Sequence, residues 1–429
     1  RITGRSLAVA TTIALGILVV MNWTMFDNKI LAVVLLAAFG LLAARLKEQL
    51  MRGLTYVLIA VFGVAPLVQL VTSHIRDTQP YPIVELAERR DATATGVVED
   101  LLFVVVDGYP SLGIARDWFG HDSGEMVSHL EALEFQVFET AWTQHTFTGL
   151  AVPSMLELQP IAEPGPTSYG NRTSTFNIMR GDSLVADALR SADFTYTHVE
   201  GGWDGDVCGD VDRCLGGPLF DEKMILLLGS SLFGSWLEES GRSYIVDGTF
   251  NSVDSLKSIR EVFGDGNRDY VFSHLMLPHD PYVVDSDCQV LSQSNETHRI
   301  DEQFTCVDRL ISEISEFADD STAVVIAADH GSHTLEQRFL PAHEWTDAQI
   351  AERFAVFLAY RFPEGCTEPG QPTNIEVMSA AVSCAIDIEV PDNHGRFLIG
   401  ADNPDWVDEE RMERIQTEVE AGLIERPDG

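Results

Sequence analysis

Three long apolar stretches open the chain, at Leu7–Trp23, Ile30–Ala44 and Leu54–Val71. Each approaches the roughly 20 residues a helix needs to cross a bilayer, the second only if it continues through Leu46. No amphipathic period relieves them, which favours spans over the competing reading of a buried helical hairpin. A cleaved signal peptide would account for one such stretch, not three. His74–Val98 is polar, contains Pro80 and Pro82, and reads as a tether. From Glu99 to about Gly400 fully apolar runs alternate with helical periods. Leu101–Val106, Tyr270–Leu277, Ala323–Ala328 and Phe354–Tyr360 predict buried parallel strands. Leu184–Ser191, Glu222–Leu237, Ser255–Phe263 and His298–Phe317 predict helices between them. Gln159–Gly181 and Gly201–Pro218 fit no regular element, and Asp405–Glu425 reads as an acidic terminal helix. The pattern therefore predicts an α/β fold with a doubly wound, mostly parallel sheet, preceded by a transmembrane helical segment. The expected divisions are 1–76 (three membrane helices), 77–98 (tether), 99–400 (globular domain) and 401–429 (acidic tail).

Flanking charge orients the spans. Arg1 and Arg5 precede the first, and Arg45, Lys47 and Arg52 lie between the second and third, whereas the first loop holds only Lys29 beside Asp27. Basic residues stay cytoplasmic, so everything beyond Val71 is expected outside. The chain opens on Arg, and a further span upstream would leave this local argument standing. Residues 1–80 carry a net +4 within a total of −38, leaving −42 on the remainder. So acidic an exterior repels nucleic acid. It suits a halophilic protein, whose self-repulsion is screened by concentrated salt; an acidic partner-binding surface is the competing reading. The six cysteines fall in neighbouring pairs, Cys208/Cys214, Cys288/Cys306 and Cys366/Cys384, with no Cys-x-x-Cys zinc spacing. This is the simplest disulfide set, and it fits an extracytoplasmic domain. The segment "GGWDGDVCGDVDRCLGGP" offers four Asp to a calcium ion, against the plainer reading of a solvated, disulfide-pinned loop.

Metal-ligand residue types gather where apolar runs end. "LLFVVVDGYP" places Asp107 at a strand's carboxyl end. "YVFSHLMLPHDPY" contains His274 and His279, and "STAVVIAADHGSH" delivers Asp329 and His330. Carboxylates with imidazoles suit zinc best, with manganese possible. "WTQHTFTGLAVPSML" is rich in hydroxyls and leads into a short helix, whose amino end welcomes phosphate. A hydroxyl there could serve as nucleophile or merely cap the helix, and composition does not separate Thr143, Thr146 and Thr148.

Asp107-Gly, the threonine-rich turn with "VPSM", "SHLMLPHDPY" and "ADHG" occur in this order in the alkaline phosphatase superfamily. The chain most resembles its membrane-anchored, sulfatase-domain branch, the phosphoethanolamine transferases and lipoteichoic-acid-synthase-like proteins. The resemblance implies metal ligands at Asp107, Thr148, Asp329 and His330, with Thr148 as catalytic nucleophile. It implies a second metal or a substrate phosphate at His274, His279 and His343, with His333 as alternative to His343. The implied activity is phosphoester hydrolysis or transfer on a lipid headgroup or envelope glycan, at the outer face of a cell membrane. Two features depart from the family: Asp107 stands where the transferases often carry Glu, and Ser332 stands where an acid is common. Ala151-Val-Pro-Ser-Met155 offers no formylglycine precursor in the sulfatase register, which counts against sulfate-ester hydrolysis. An inactive envelope ligand-binding protein is the alternative from another class.

Overall fold

Six consecutive apolar residues, Leu101–Val106, are fully buried in strand β1 (Asp100–Asp107), which runs through the middle of the sheet. The computed structural model describes residues 86, 92–164, 173–201, 207–216, 255–263, 267–280, 282, 284–289, 300–335, 340–391, 395–400 and 405–427. All of these fall in one unit, residues 80–219 with 245–429. The three apolar stretches and the expected helix Glu222–Leu237 lie outside the described residues, as does most of the tether. No helix among the described residues is long and apolar enough to cross a membrane.

The chain continues through α1 (Leu112–Phe119), β2 (Gln136–Val137), α2 (Thr148–Leu156), α3 (Leu184–Ser191), β3 (Thr195–Glu200) and β4 (Arg213–Gly216). It then forms β5 (Asp269–Pro278), α4 (Ile300–Ser315), β6 (Thr322–Ala328), α5 (Asp347–Phe354), β7 (Leu358–Arg361), α6 (Asn374–Ala385) and α7 (Glu409–Glu420). Among the described residues the central sheet has seven strands in the order β2-β7-β6-β1-β5-β3-β4. The five from β6 to β4 are parallel, and β7 and β2 extend that edge antiparallel. The architecture is thus mixed α/β around a mostly parallel sheet. Helix α4 packs against β5, and α6 packs against β6 and β1. Leu101–Val106 and Ala323–Ala328 are fully buried, each Val, Leu, Ile or Phe among them contributing about 1.5–3 kcal/mol.

Local signals set the helix ends. Ser183 caps α3 by accepting from Ala186 N at 3.2 Å, and Thr346 with Gln349 forms a capping box on α5. The three disulfides join the expected pairs, Cys208–Cys214, Cys288–Cys306 and Cys366–Cys384.

Three expectations need correction. Phe354–Tyr360 is not one parallel strand: Phe354 ends α5, Ala355–Val356 pairs with Ala141–Trp142, and β7 runs antiparallel to β6. A parallel return needs a crossover long enough to span the sheet. Here α5 has only eight residues and is held at the carboxyl end of β6, where Gly331 N donates to Arg353 O at 2.9 Å. The chain therefore re-enters the sheet from that end. The irregular stretches also contain structure: Thr173–Met179 is helical, and β4 lies within 201–218. The terminal helix is shorter than expected, because Asp405–Trp406 pairs with Leu398–Ile399 instead; Arg411 and Arg414 of α7 reach Asp347 at 2.8 Å each.

His145 is fully buried, and among the described residues neither ring nitrogen has a hydrogen-bond partner. Burial alone pushes its pKa down from 6.5 to about 3. Between those values the unfolded chain holds a proton that the folded chain does not, so stability falls as pH drops below 6.5. The slope is about 1.4 kcal/mol per pH unit. His145→Gln is therefore expected to flatten the acid limb of a Tm-against-pH curve between pH 6.5 and 4. A curve parallel to that of the parent would contradict this.

Candidate metal and nucleophile site

β1, β5 and β6 are adjacent and parallel, so their carboxyl ends share one edge. Asp107 ends β1, and a register shift between Val106 and Asp107 sets Asp107 opposite Pro278. Such an irregularity re-aims a side chain out of the regular pleat. His274 lies in β5, and Asp329-His330 follows β6 directly.

The side chains converge. Asp107 Oδ2 lies 3.4 Å from His274 Nε2, and Asp107 Oδ1 lies 3.5 Å from His330 Nε2. Asp329 Oδ2 is 3.4 Å from that same His330 nitrogen. Thr148, the first residue of α2, places Oγ1 3.2 Å from His330 Nε2. Asp107, Thr148, His274, Asp329 and His330 are all buried. Of the three candidate hydroxyls, only that of Thr148 is paired with His330. Thr146 Oγ1 accepts from Gly400 N at 3.1 Å, and the Thr143 backbone N donates to Phe354 O.

Backbone groups fix the ligand geometry. Asp329 Oδ1 accepts from Gly108 N at 3.1 Å and from His330 N at 2.8 Å. Gly108 has φ 78°, in the left-handed region that favours glycine, and an added Cβ would sit 3.7 Å from the His330 ring. His330 Nδ1 lies 2.9 Å from Gly331 O. With the proton on Nδ1 donated there, Nε2 presents its lone pair to Thr148, Asp107 and Asp329.

Charge follows position. Burial raises the Asp107 pKa, but His279, His274 and His330 outweigh it and hold this carboxyl well below the usual range. Burial and the Asp107 charge push Asp329 up to about 6, against the pull of His274, Thr148 and Gly108 N. Burial, aided by Arg353, keeps His330 neutral. Among the described residues Asp107 Oδ1 and Asp329 Oδ2 have no hydrogen-bond partner, although buried carboxylate oxygens are normally satisfied. Two such oxygens facing one imidazole lone pair fit a cation. Two ligand groups share Asp107, one with His279 and His330 and the other with His274 and Asp329. Carboxylates, imidazoles and a hydroxyl suit zinc or manganese.

The outer histidines divide. The His279 ring lies 6.1 Å from that of His330, and its side chain is 34% exposed. Burial lowers its pKa, but Asp107 and Asp280 raise it further, so the net shift is upward. His333 approaches Asp280 Oδ1 at 3.8 Å, on the same rim. His343 lies apart, 79% exposed on a short 3-10 turn beside Glu344.

Three contributors, Gln303, Glu352 and Arg353, lie outside the sequence motifs, and Asp280 lies within one without being marked as functional. Gln303 of α4 donates to Pro278 O at 2.9 Å and His279 O at 3.0 Å, holding the loop that carries His279. Glu352 accepts from Ser332 Oγ at 3.1 Å, Thr334 N at 2.7 Å and Leu335 N at 3.1 Å, and Arg353 binds carbonyls on both flanks. Asp280 links His279 to His333. The one available signal was a Glu-Arg pair set flush against the apolar run 354–360.

No protein-family model matches the chain, and no curated protein matches it. Among solved structures it is similar to the integral membrane lipooligosaccharide phosphoethanolamine transferase EptA from Neisseria meningitidis. That likeness covers 83% of this chain and 70% of the other, at 13% identity and a TM-score of 0.40. The zinc complex of the periplasmic domain of EptC from Escherichia coli matches at 11% identity and TM-score 0.44, covering 73% of this chain and 88% of that one. The periplasmic domain of phosphoethanolamine transferase EptC from Campylobacter jejuni matches at 12% and 0.42, covering 71% and 94%. Two of these neighbours are named as phosphoethanolamine transferases.

Proposed function

We propose that this chain is a metal-dependent enzyme that hydrolyses or transfers phosphoesters through a phosphothreonine at Thr148. The observation that carries the reading is the buried Thr148 hydroxyl, 3.2 Å from a neutral His330 that also faces two carboxylate oxygens with no hydrogen-bond partner among the described residues. Asp107, Asp329, His330 and Thr148 would hold a divalent cation, zinc before manganese, whose charge acidifies the hydroxyl and neutralises phosphoryl oxygens.

This chain's own residues supply the rest. Thr148 Oγ1 attacks phosphorus, the ester P–O bond breaks, and the leaving alcohol departs with a proton. Water or an acceptor hydroxyl then attacks phosphorus, releasing Oγ1 and separating hydrolase from transferase only at this step. His279 on the rim and His274 beneath it are set to take phosphoryl oxygens or a second cation. By position, His333 is better placed than His343 for the third outer imidazole. Ala151 stands at the position where a sulfatase carries its formylglycine precursor, which supports phosphoester over sulfate-ester chemistry. The apolar stretches before residue 76 support a membrane tether, and with it a phosphorylated lipid or envelope glycan as substrate. Intact-mass spectrometry of the purified chain incubated with phospholipids tests the reading. We expect an adduct that maps to Thr148; an adduct elsewhere, or none with any phosphoester, would refute it.

The cation also makes a pH prediction. Metal binding requires the Asp329 carboxylate, which takes up a proton as pH falls below about 6. Zinc affinity should fall by about a further tenfold per pH unit below that point. Isothermal titration between pH 5 and 7.5 measures this, and a level profile throughout would contradict it.

A further inference from the structure

The carboxyl end of α5 grips both halves of the site. Arg353 is 7% exposed, and its guanidinium is directed at backbone carbonyls. Nη1 donates to Gly331 O at 3.0 Å and to Ser332 O at 3.4 Å, while Nη2 donates to Thr146 O. Main-chain bonds run alongside: Gly331 N donates to Arg353 O at 2.9 Å, and Thr143 N donates to Phe354 O at 3.0 Å. Gly331 O is also the acceptor that sets the His330 ring. A single side chain thus ties the carbonyl two residues before Thr148 to the carbonyl that orients His330.

We propose that Arg353 is a positioning residue that fixes the Thr148 hydroxyl against His330 Nε2, and that a positive charge without its planar fork of donors does not satisfy the site. Three carbonyls on two loops cannot be spanned by a point ammonium on a flexible stem, so lysine is no substitute. Nothing in the arrangement requires Arg353 to touch substrate, so its effect falls on the rate and not on binding. The inference rests on the phosphothreonine reading above.

The test compares Arg353→Lys and Arg353→Met with the parent full chain, zinc-loaded in detergent, on bis(p-nitrophenyl) phosphate. Both variants are expected to lose on the order of 100-fold in kcat, with KM within about threefold. Independently of turnover, hydrogen exchange at the Leu150 and Ala151 amides, which donate to Phe147 O, should accelerate in both. Arg353→Lys with the parent's kcat would overturn the proposal, because charge alone would then suffice. Unchanged exchange in Arg353→Met would overturn it too, as would global unfolding of both variants. Should the parent itself turn over no phosphoester, the functional reading falls, while the exchange arm still decides the role of Arg353.

Discussion

Thr148→Ala should lower kcat on a phosphodiester on the order of 10⁵-fold, the scale at which losing a nucleophile leaves only background chemistry. The side chain is small and buried, so its truncation should move Tm by no more than about 4 °C. The expectation is specific because the Thr146 hydroxyl oxygen is engaged elsewhere and the Thr148 oxygen alone pairs with His330. Thr146 Oγ1 accepts from Gly400 N, and only the Thr148 oxygen is set 3.2 Å from His330 Nε2. Thr148→Ser keeps an oxygen at the first helical position and should retain measurable turnover with an adduct of the same mass. Steady-state kinetics with intact-mass spectrometry checks both variants. An alanine variant within tenfold of the parent would place the nucleophile elsewhere.

The second large effect is structural. An added Cβ at Gly331 would sit 1.8 Å from Glu352 O and 3.1 Å from Ala355 O. Both are backbone atoms, so no side-chain rotation relieves the clash. The Asp329-His330 tip or the end of α5 must move, breaking the Gly331 N bond to Arg353 O at 2.9 Å. Gly331→Ala should therefore cost about 3 kcal/mol, the upper range for overpacking a closed interior. Zinc affinity should fall by about 100-fold as the ligand pair leaves position. Calorimetry and zinc titration on one preparation measure the two effects. Parent values for both would mean that the glycine is not the hinge of the site.

These effects explain what could and could not be read from the chain. The buried strands were legible because Leu101–Val106 and Ala323–Ala328 are apolar throughout, which only a sheet covered on both faces tolerates. Asp107 and Asp329-His330 were legible because a charged group has no reason to end such a run unless the strand tips meet. The direction of β7 was not legible, since it depends on the length and seat of α5 and not on residue type. Arg353 and Gln303 were hidden for a related reason: each looks like an ordinary position on a helix until the loop it holds is folded over it. The resemblance ranks His343 ahead of His333 by its distance from Asp329-His330 along the chain. The structure sets His333 near Asp280 and His343 out in solvent.

The most direct test is zinc anomalous diffraction from crystals of the zinc-loaded chain. The account predicts a peak about 2.0–2.2 Å from carboxylate oxygens of Asp107 and Asp329, from His330 Nε2 and from Thr148 Oγ1. A fully loaded crystal with no peak among those four groups, or with zinc bound there and Thr148 turned away, would contradict it.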